Sequence, residues 1–248
     1  MPPKSLAGRV VVITRPAGTA APVARQVRAR GGEPLALPGL SLRGVDDVPG
    51  ATAALRKALR DDLLVFTSPA AVRFAARLAP LRTRATVLAV GQGTARALRR
   101  HGIAAHAPER QDSEGLLAHP LLRELRGRRV ALIGAAGGRG LLREQFAARG
   151  ASLRELHVYQ RVAPRLRRTH LDAVVALPRS ARVLLSSAEA LDHLRAQLPP
   201  SAWARLCAAT AIASSERLAQ AARAAGFGRV RIAASALAAD LLDEAARR

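Results

Sequence analysis

"LLVFTSPAAVRFAARL", residues 63–78, and "RVLLSSAEALDHLRAQL", residues 182–198, are two versions of one unit: an apolar run, a pair of hydroxyl residues, then a segment of helical period. In the first, Ser68 followed by Pro69 suits a helix N-cap with proline at the first helical position. In the second, Ser186 with Glu189 suits a capping box. An apolar strand that hands over directly to a capped helix is the repeating step of a parallel sheet covered by helices.

The step recurs along the chain. Short runs rich in Val, Ile and Leu fall at residues 9–13, 63–66, 87–90, 129–133, 183–185 and 208–213, with longer Ala, Leu and Arg segments between them. Runs of this length suit strands buried on both faces. "GRVVVITRPAGTAAPVARQVRARGG" starts at Gly8 and "GRRVALIGAAGGRGLLREQFAARGA" at Gly127, 119 residues on. Thr67 and Ser68 stand the same 119 before Ser186 and Ser187. A third block, "AVGQGTARALRRHGI" from Ala89 against "AIASSERLAQAARAAGF" from Ala211, is displaced by 122, as a short insertion would produce. Repetition over half the chain predicts two similar α/β domains, each a parallel sheet flanked by helices. Any two strand-turn-helix units look alike to a degree, and the shared register is what argues for duplication.

Two segments break the rhythm. Residues 33–44 and 153–164 read as extended, with prolines near their ends, and each follows a helix ending in glycine, at Gly31 and Gly150. They are the expected crossings between domains, a two-stranded linker.

The 248 residues suffice for two such domains, and 49% hydrophobic with 23% charged residues places the chain among folded proteins. Lys and Arg exceed Asp and Glu by 40 to 18, a net +22 whose field attracts anions. Nucleic acid, anionic lipid and a polyanionic small molecule are the candidate partners; arginine-rich composition without functional demand is the alternative. Aromatic residues at 2% leave few platforms for stacking bases, so nucleic acid is not expected. No apolar run is long enough for a membrane span or a secretory signal, so no membrane partner is expected. The lone Cys207 permits no internal disulfide, which points to a reducing, cytoplasmic setting. A monomer is expected.

Each predicted strand ends in small hydroxyl or glycine residues: Thr14 and Arg15, Thr67 and Ser68, Gly91 to Thr94, Gly137 to Arg139, Ser186 and Ser187, Ser214 and Ser215. Ligands of open parallel sheets bind outside the carboxyl ends of the strands. Any one hydroxyl there could simply cap a helix. As a set they present several helix N-termini, with free N–H groups, to carboxylates or phosphates. "GAAGGRG", residues 134–140, lets backbone approach a ligand but lacks the Lys-Ser/Thr of a P-loop, and no GxGxxG is present. The six histidines show neither metal-ligand spacing nor a Ser-His-Asp setting, so no metal is expected. Tyr159, the single tyrosine, lies on a predicted crossing, where a phenol could give a proton to a leaving group or merely pack.

Taken in order, "VVITRP", "VFTSPAAVRFA", "AVGQGTARAL", "GGRGLL", "RGASLRELHVYQRVAP", "LLSSAEALDHL" and "SSERLAQAARAAGF" resemble the uroporphyrinogen-III synthase family across essentially the whole chain. The resemblance implies a first domain of residues 1–38 and 165–248, discontinuous in sequence, and a second of residues 39–164. It implies a cyclising carbon-oxygen lyase of tetrapyrrole (haem) biosynthesis. Hydroxymethylbilane, a linear tetrapyrrole with eight carboxylates, would close to uroporphyrinogen III with inversion of the last ring and loss of water. The implied route runs through an azafulvene cation and a spiro intermediate, and no cofactor is implied. Tyr159 would assist departure of the hydroxyl. Thr14, Arg15, Thr67, Ser68, Thr94, Gly138, Arg139, Ser186, Ser187 and Ser214 would hold carboxylates. Two positions depart from the pattern: Gly134 and Ala135 stand where Arg and Gly are common, and Gln160 where a second basic residue is frequent. The alternative from the residues alone is a two-domain binding protein that closes on an anionic small molecule without catalysis.

Overall fold

The computed structural model describes residues 5–110, 112–137 and 140–247. The chain divides into two compact units, Met1–Leu42 with Val162–Arg248, and Arg43–Arg161. Among the described residues ten strands build two five-stranded sheets: β1 (Val10–Ile13), β2 (Glu33–Ala36), β3 (Ser41–Gly44), β4 (Leu63–Phe66), β5 (Thr86–Ala89), β6 (Arg129–Ala135), β7 (Ser152–Val162), β8 (Arg182–Leu184), β9 (Thr210–Ala213) and β10 (Arg229–Ile232). The chain passes between the units within β3 and within β7.

The first sheet has the order β10-β9-β8-β1-β2, and every adjacent pair is parallel. β1 shows why. Val11 and Ile13 belong to one apolar cluster with Val23 and Val27 of the helix Ala21–Ala29 and with Leu241 and Leu242 of the helix Ala238–Ala246. Val12, between them, belongs to the other cluster, with Val183, Leu194 and Phe227. Alternate residues thus feed two cores, one on each face, and each fully buried Val or Leu contributes about 1.5–3 kcal/mol. Three consecutive valines and an isoleucine are what such a strand requires.

The second sheet runs β3-β7-β6-β4-β5, with the pairs β7-β6, β6-β4 and β4-β5 parallel. All four residues of β4 are buried. Leu63 and Val65 pack with Val130 of β6 and Phe146 of the helix Leu141–Ala148. The 119-residue repeat can be followed strand by strand. β1, β2 and β8 stand to one another as β6, β7 and β4 do, and β9 corresponds to β5, so β2-β1-β8-β9 and β7-β6-β4-β5 are one order. β10 closes the first sheet; at the matching edge of the second, a single parallel bridge joins Leu88 to His106.

Two sequence expectations are refined. Residues 33–44 are two strands rather than one extended segment: β2 pairs with β1, and β3 lies beside β7. β10 was not anticipated, because "RVRI" at a sheet edge is exposed at both ends and carries no continuous apolar run.

Candidate active site

In both sheets the chain order reverses direction between two central strands, β8 and β1 in the first, β4 and β6 in the second. Such switch points leave a crevice at the carboxyl ends of the strands. The second sheet holds a cavity of about 450 Å³ there.

Its wall begins with the turn after β4. Ser68 caps the helix Pro69–Leu78, its Oγ accepting the Ala71 N–H at 3.0 Å. The same Oγ lies 3.2 Å from the Tyr159 hydroxyl. Thr67 donates its hydroxyl to the Ile133 carbonyl at 3.2 Å, which ties the β4 turn to β6. The next residue of β6 has to be glycine: a Cβ on Gly134 would stand 2.5 Å from Thr67 Oγ1. The turn that follows contributes Gly137 and Gly140 to the lining. Gly140, at φ 68°, is the left-handed N-cap of the helix Leu141–Ala148 and leaves that helix's first N–H groups facing outward.

β7 supplies the chemistry. It pairs with β6 in register to Gly134 and His157, then slips, so that Ala135 faces Tyr159 and Val158 is the extra residue of a bulge. Glu155, His157, Tyr159 and Arg161, every second residue of the strand, all line the cavity. Leu156 and Val158 between them are buried. Tyr159 is only 6% exposed, and its ring stacks on Phe74 with centroids 5.3 Å apart and planes 13° from parallel. Arg161 Nη2 donates to the Ala136 carbonyl at 3.1 Å. Arg143, across the cavity wall, approaches Glu144 only at 3.9 Å. Among the described residues two guanidiniums, Arg143 and Arg161, line the cavity against one carboxylate, Glu155, which makes it receptive to anions.

Of the residues expected from sequence, Thr67, Ser68 and Tyr159 therefore meet in one wall. Gly138 and Arg139 lie outside the described residues. Thr94 is buried in the helix Gln92–Arg99 and does not line the cavity. Glu155, His157, Arg143 and Arg161 were missed; the alternation along "ELHVYQR" was the available signal. Gln160, one of the two departures noted from the family pattern, donates its amide to Asp46 at 2.9 Å.

The remaining candidates gather at the switch point of the first sheet. Thr14 donates its hydroxyl to the Leu184 carbonyl at 2.9 Å and accepts the Ser186 N–H at 3.0 Å. Ser186 Oγ in turn donates to the Thr14 carbonyl at 3.0 Å, the counterpart of the bond from Thr67 to Ile133. Ser186 is thus not the helix cap that its spacing to Glu189 suggested. Ser187 is, accepting the Ala190 N–H at 3.1 Å at the head of Ala188–Gln197. Likewise Ser215 caps Glu216–Ala224, and Ser214, just after β9, is half-buried. Arg15 is half-buried with no hydrogen-bond or ion-pair partner among the described residues, and burial lowers its pKa. A desolvated, unpaired guanidinium is primed for a carboxylate. Cys207 takes no part: burial pushes its thiol up to about 11, and it does not line the cavity.

Parallel α/β units whose hydroxyls, helix N-termini and arginines collect at switch points define a protein that handles a polyanionic small molecule. The sequence matches the family described as uroporphyrinogen-III synthase HemD over residues 21–243, and the chain belongs to that family. The uroporphyrinogen-III synthase of Salmonella typhimurium is 30% identical over 91% of this chain and 95% of its own. The fold is that of the Helicobacter pylori enzyme (TM-score 0.62, 17% identity, 94% and 96% of the two chains). It is also that of a mutant uroporphyrinogen III synthase from the extreme thermophile Thermus thermophilus (TM-score 0.57, 21% identity, 95% and 96%). The chain is accordingly an enzyme of the cyclising-lyase class in porphyrin and haem biosynthesis.

Proposed function

We propose that the chain cyclises hydroxymethylbilane to uroporphyrinogen III, inverting the last pyrrole ring and expelling water. The observation that carries this reading is the Tyr159 hydroxyl, held 3.2 Å from Ser68 Oγ in the wall of a cation-lined cavity. Tyr159 gives its phenolic proton to the departing hydroxyl, which leaves as water, and the proton that the closed ring releases on regaining aromaticity returns to the phenolate. The azafulvene cation left behind is attacked by the substituted carbon of the last ring, and the spiro intermediate fragments and recombines to give the inverted ring.

The larger demand is orientation, because the unguided bilane closes without inversion. Gly138 and Arg139, with Arg143 and Arg161, hold carboxylates in the second unit, while Ser68 and Thr67, whose hydroxyls are engaged with Tyr159 and Ile133, shape the wall beside them. Arg15, Ser186, Ser187 and Ser214 hold carboxylates in the first. Thr14 and Thr94, 1% and 3% exposed, act from behind this surface. No cofactor enters the reaction. The two units serve as the two domains of a monomer in the cytoplasm, and nucleic acid is not a partner. Among the described residues no helix is long and apolar enough to cross a membrane.

The test is to supply hydroxymethylbilane and resolve the isomers. Uroporphyrinogen III is expected; isomer I alone at saturating protein overturns the reading in favour of a binding protein. Tyr159→Phe should lower kcat by about 10–100-fold with melting unchanged. Unchanged turnover would reduce the tyrosine to packing.

A further inference from the structure

We propose that the helix Pro69–Leu78 clamps the Tyr159 phenol at two points, Ser68 at the hydroxyl and Phe74 at the ring, making both positioning residues for the cyclisation. This rests on the assignment of Tyr159 as donor to the leaving hydroxyl.

Ser68 already accepts the Ala71 N–H, so its own hydrogen is available to give. Giving it to Tyr159 Oη leaves the phenolic hydrogen for the departing hydroxyl. Phe74 fixes the ring plane through the near-parallel stack. Phe74 is itself held, with the Arg73 and Arg77 guanidinium carbons 5.1 and 5.4 Å from its ring centroid. The hydroxyl contact and the stack come from one rigid element, the cap and the second turn of a single helix. Together they leave the phenol one orientation.

The duplicated unit shows that the scaffold does not require this arrangement. In the repeat, 119 residues away, Ser187 caps its helix through Ala190 as Ser68 does through Ala71. Yet the positions matching Tyr159 and Phe74 hold Leu40 and His193. His193 Nδ1 instead lies 3.2 Å from the Gly39 carbonyl. Cap, strand and helix persist where stack and hydroxyl contact do not. The pair therefore belongs to the chemistry of the cavity rather than to the stability of the fold, and it uses two of only six aromatic rings in the chain.

The experiment is a double-mutant cycle on steady-state turnover. Phe74→Leu should lower kcat by about 5–20-fold with KM within about twofold, since small misplacements of a reacting group cost up to about 10²-fold. Phe74→Tyr, which keeps the stack, should restore turnover. Ser68→Ala should lower kcat and Ser68→Thr should restore it. In the Tyr159→Phe background, Phe74→Leu and Ser68→Ala should each change kcat by less than about twofold. Ring ¹³C labelling of the one tyrosine supplies a readout free of activity: its ring resonances should move in Phe74→Leu. If Phe74→Leu costs as much with Tyr159→Phe as without it, the clamp is overturned while Tyr159 keeps its role. A silent Tyr159→Phe with uroporphyrinogen III still formed removes the donor and the clamp together.

Discussion

Gly134 occupies a point where β6 and the turn after β4 come within a side chain's width of each other. Thr67 Oγ1 would meet a Cβ there at 2.5 Å, and Thr67 cannot turn away without giving up its bond to Ile133. Gly134→Ala should therefore destabilise the protein by about 1–3 kcal/mol, the usual cost of overfilling a packed site. Urea unfolding measures it, and an unchanged midpoint would show that the turn yields freely. The same substitution should lower kcat/KM, since Thr67 and Ser68 share a wall with the cavity. At this scale the sequence was readable where an interaction is local. Ser68 with Pro69 announces a cap, and the cap is there. Its second partner, Tyr159, is 91 residues away and was beyond any local pattern.

Elements were legible in proportion to how completely they are buried. β1, β4 and β6 stand out as apolar runs because both their faces are covered, whereas β10 at an edge and β7 with one face toward a cavity do not. In β7 the bulge at Val158 decides what Tyr159 faces, and a bulge leaves no mark in composition. The terminal helix Ala238–Ala246 is another case of information held in pairing. Carbonyls at its C-terminal end are satisfied by two arginines, one just before β1 and one in β8: Arg9 Nη1 donates to Ala245 and Arg247 at 3.3 and 3.2 Å, Arg182 to the same two at 3.2 and 3.4 Å. Burial, with Arg9, Arg231 and Arg229 nearby, pushes the Arg182 pKa down to about 10, which still leaves it charged at neutral pH. Two effects oppose each other here: mutual repulsion of the cations, and loss of donors to these carbonyls, of which Ala245's is buried. The second should win, because an unsatisfied buried acceptor costs about 1–3 kcal/mol while cations near the surface are screened. Arg182→Met, which keeps the apolar stem, should destabilise by about 1–3 kcal/mol. Because both arginines serve the same carbonyls, Arg9→Met with Arg182→Met should cost more than the two separate losses added. A double variant no worse than the sum would mean that repulsion cancels the shared capping.

Over the whole molecule, the repeated strand order turns a resemblance between two stretches of sequence into a duplicated architecture, with the polar chemistry divided unequally between the copies. One copy carries the phenol and a cation-lined cavity; the other carries Arg15 without a partner among the described residues and a set of serines at strand ends. What the copies share is charge of one sign. A chain at +22 facing the eight carboxylates of the proposed substrate should gain much of its capture rate from long-range attraction, which raises association about 10–10³-fold when unscreened. Arginines accumulated without functional demand would give the same net charge, so composition alone does not separate the two accounts, but ionic strength does. At 0.1 M salt the Debye length is about 10 Å, and only groups close to the bound carboxylates still act at full strength. Raising salt from about 0.02 to 0.3 M should lower kcat/KM for hydroxymethylbilane by about 5–10-fold while kcat stays within about twofold, because steering affects encounter and not ring closure. A specificity constant indifferent to salt would assign the arginine excess to composition, and substrate capture to the short-range contacts of Arg15, Arg143, Arg161 and the strand-end hydroxyls alone.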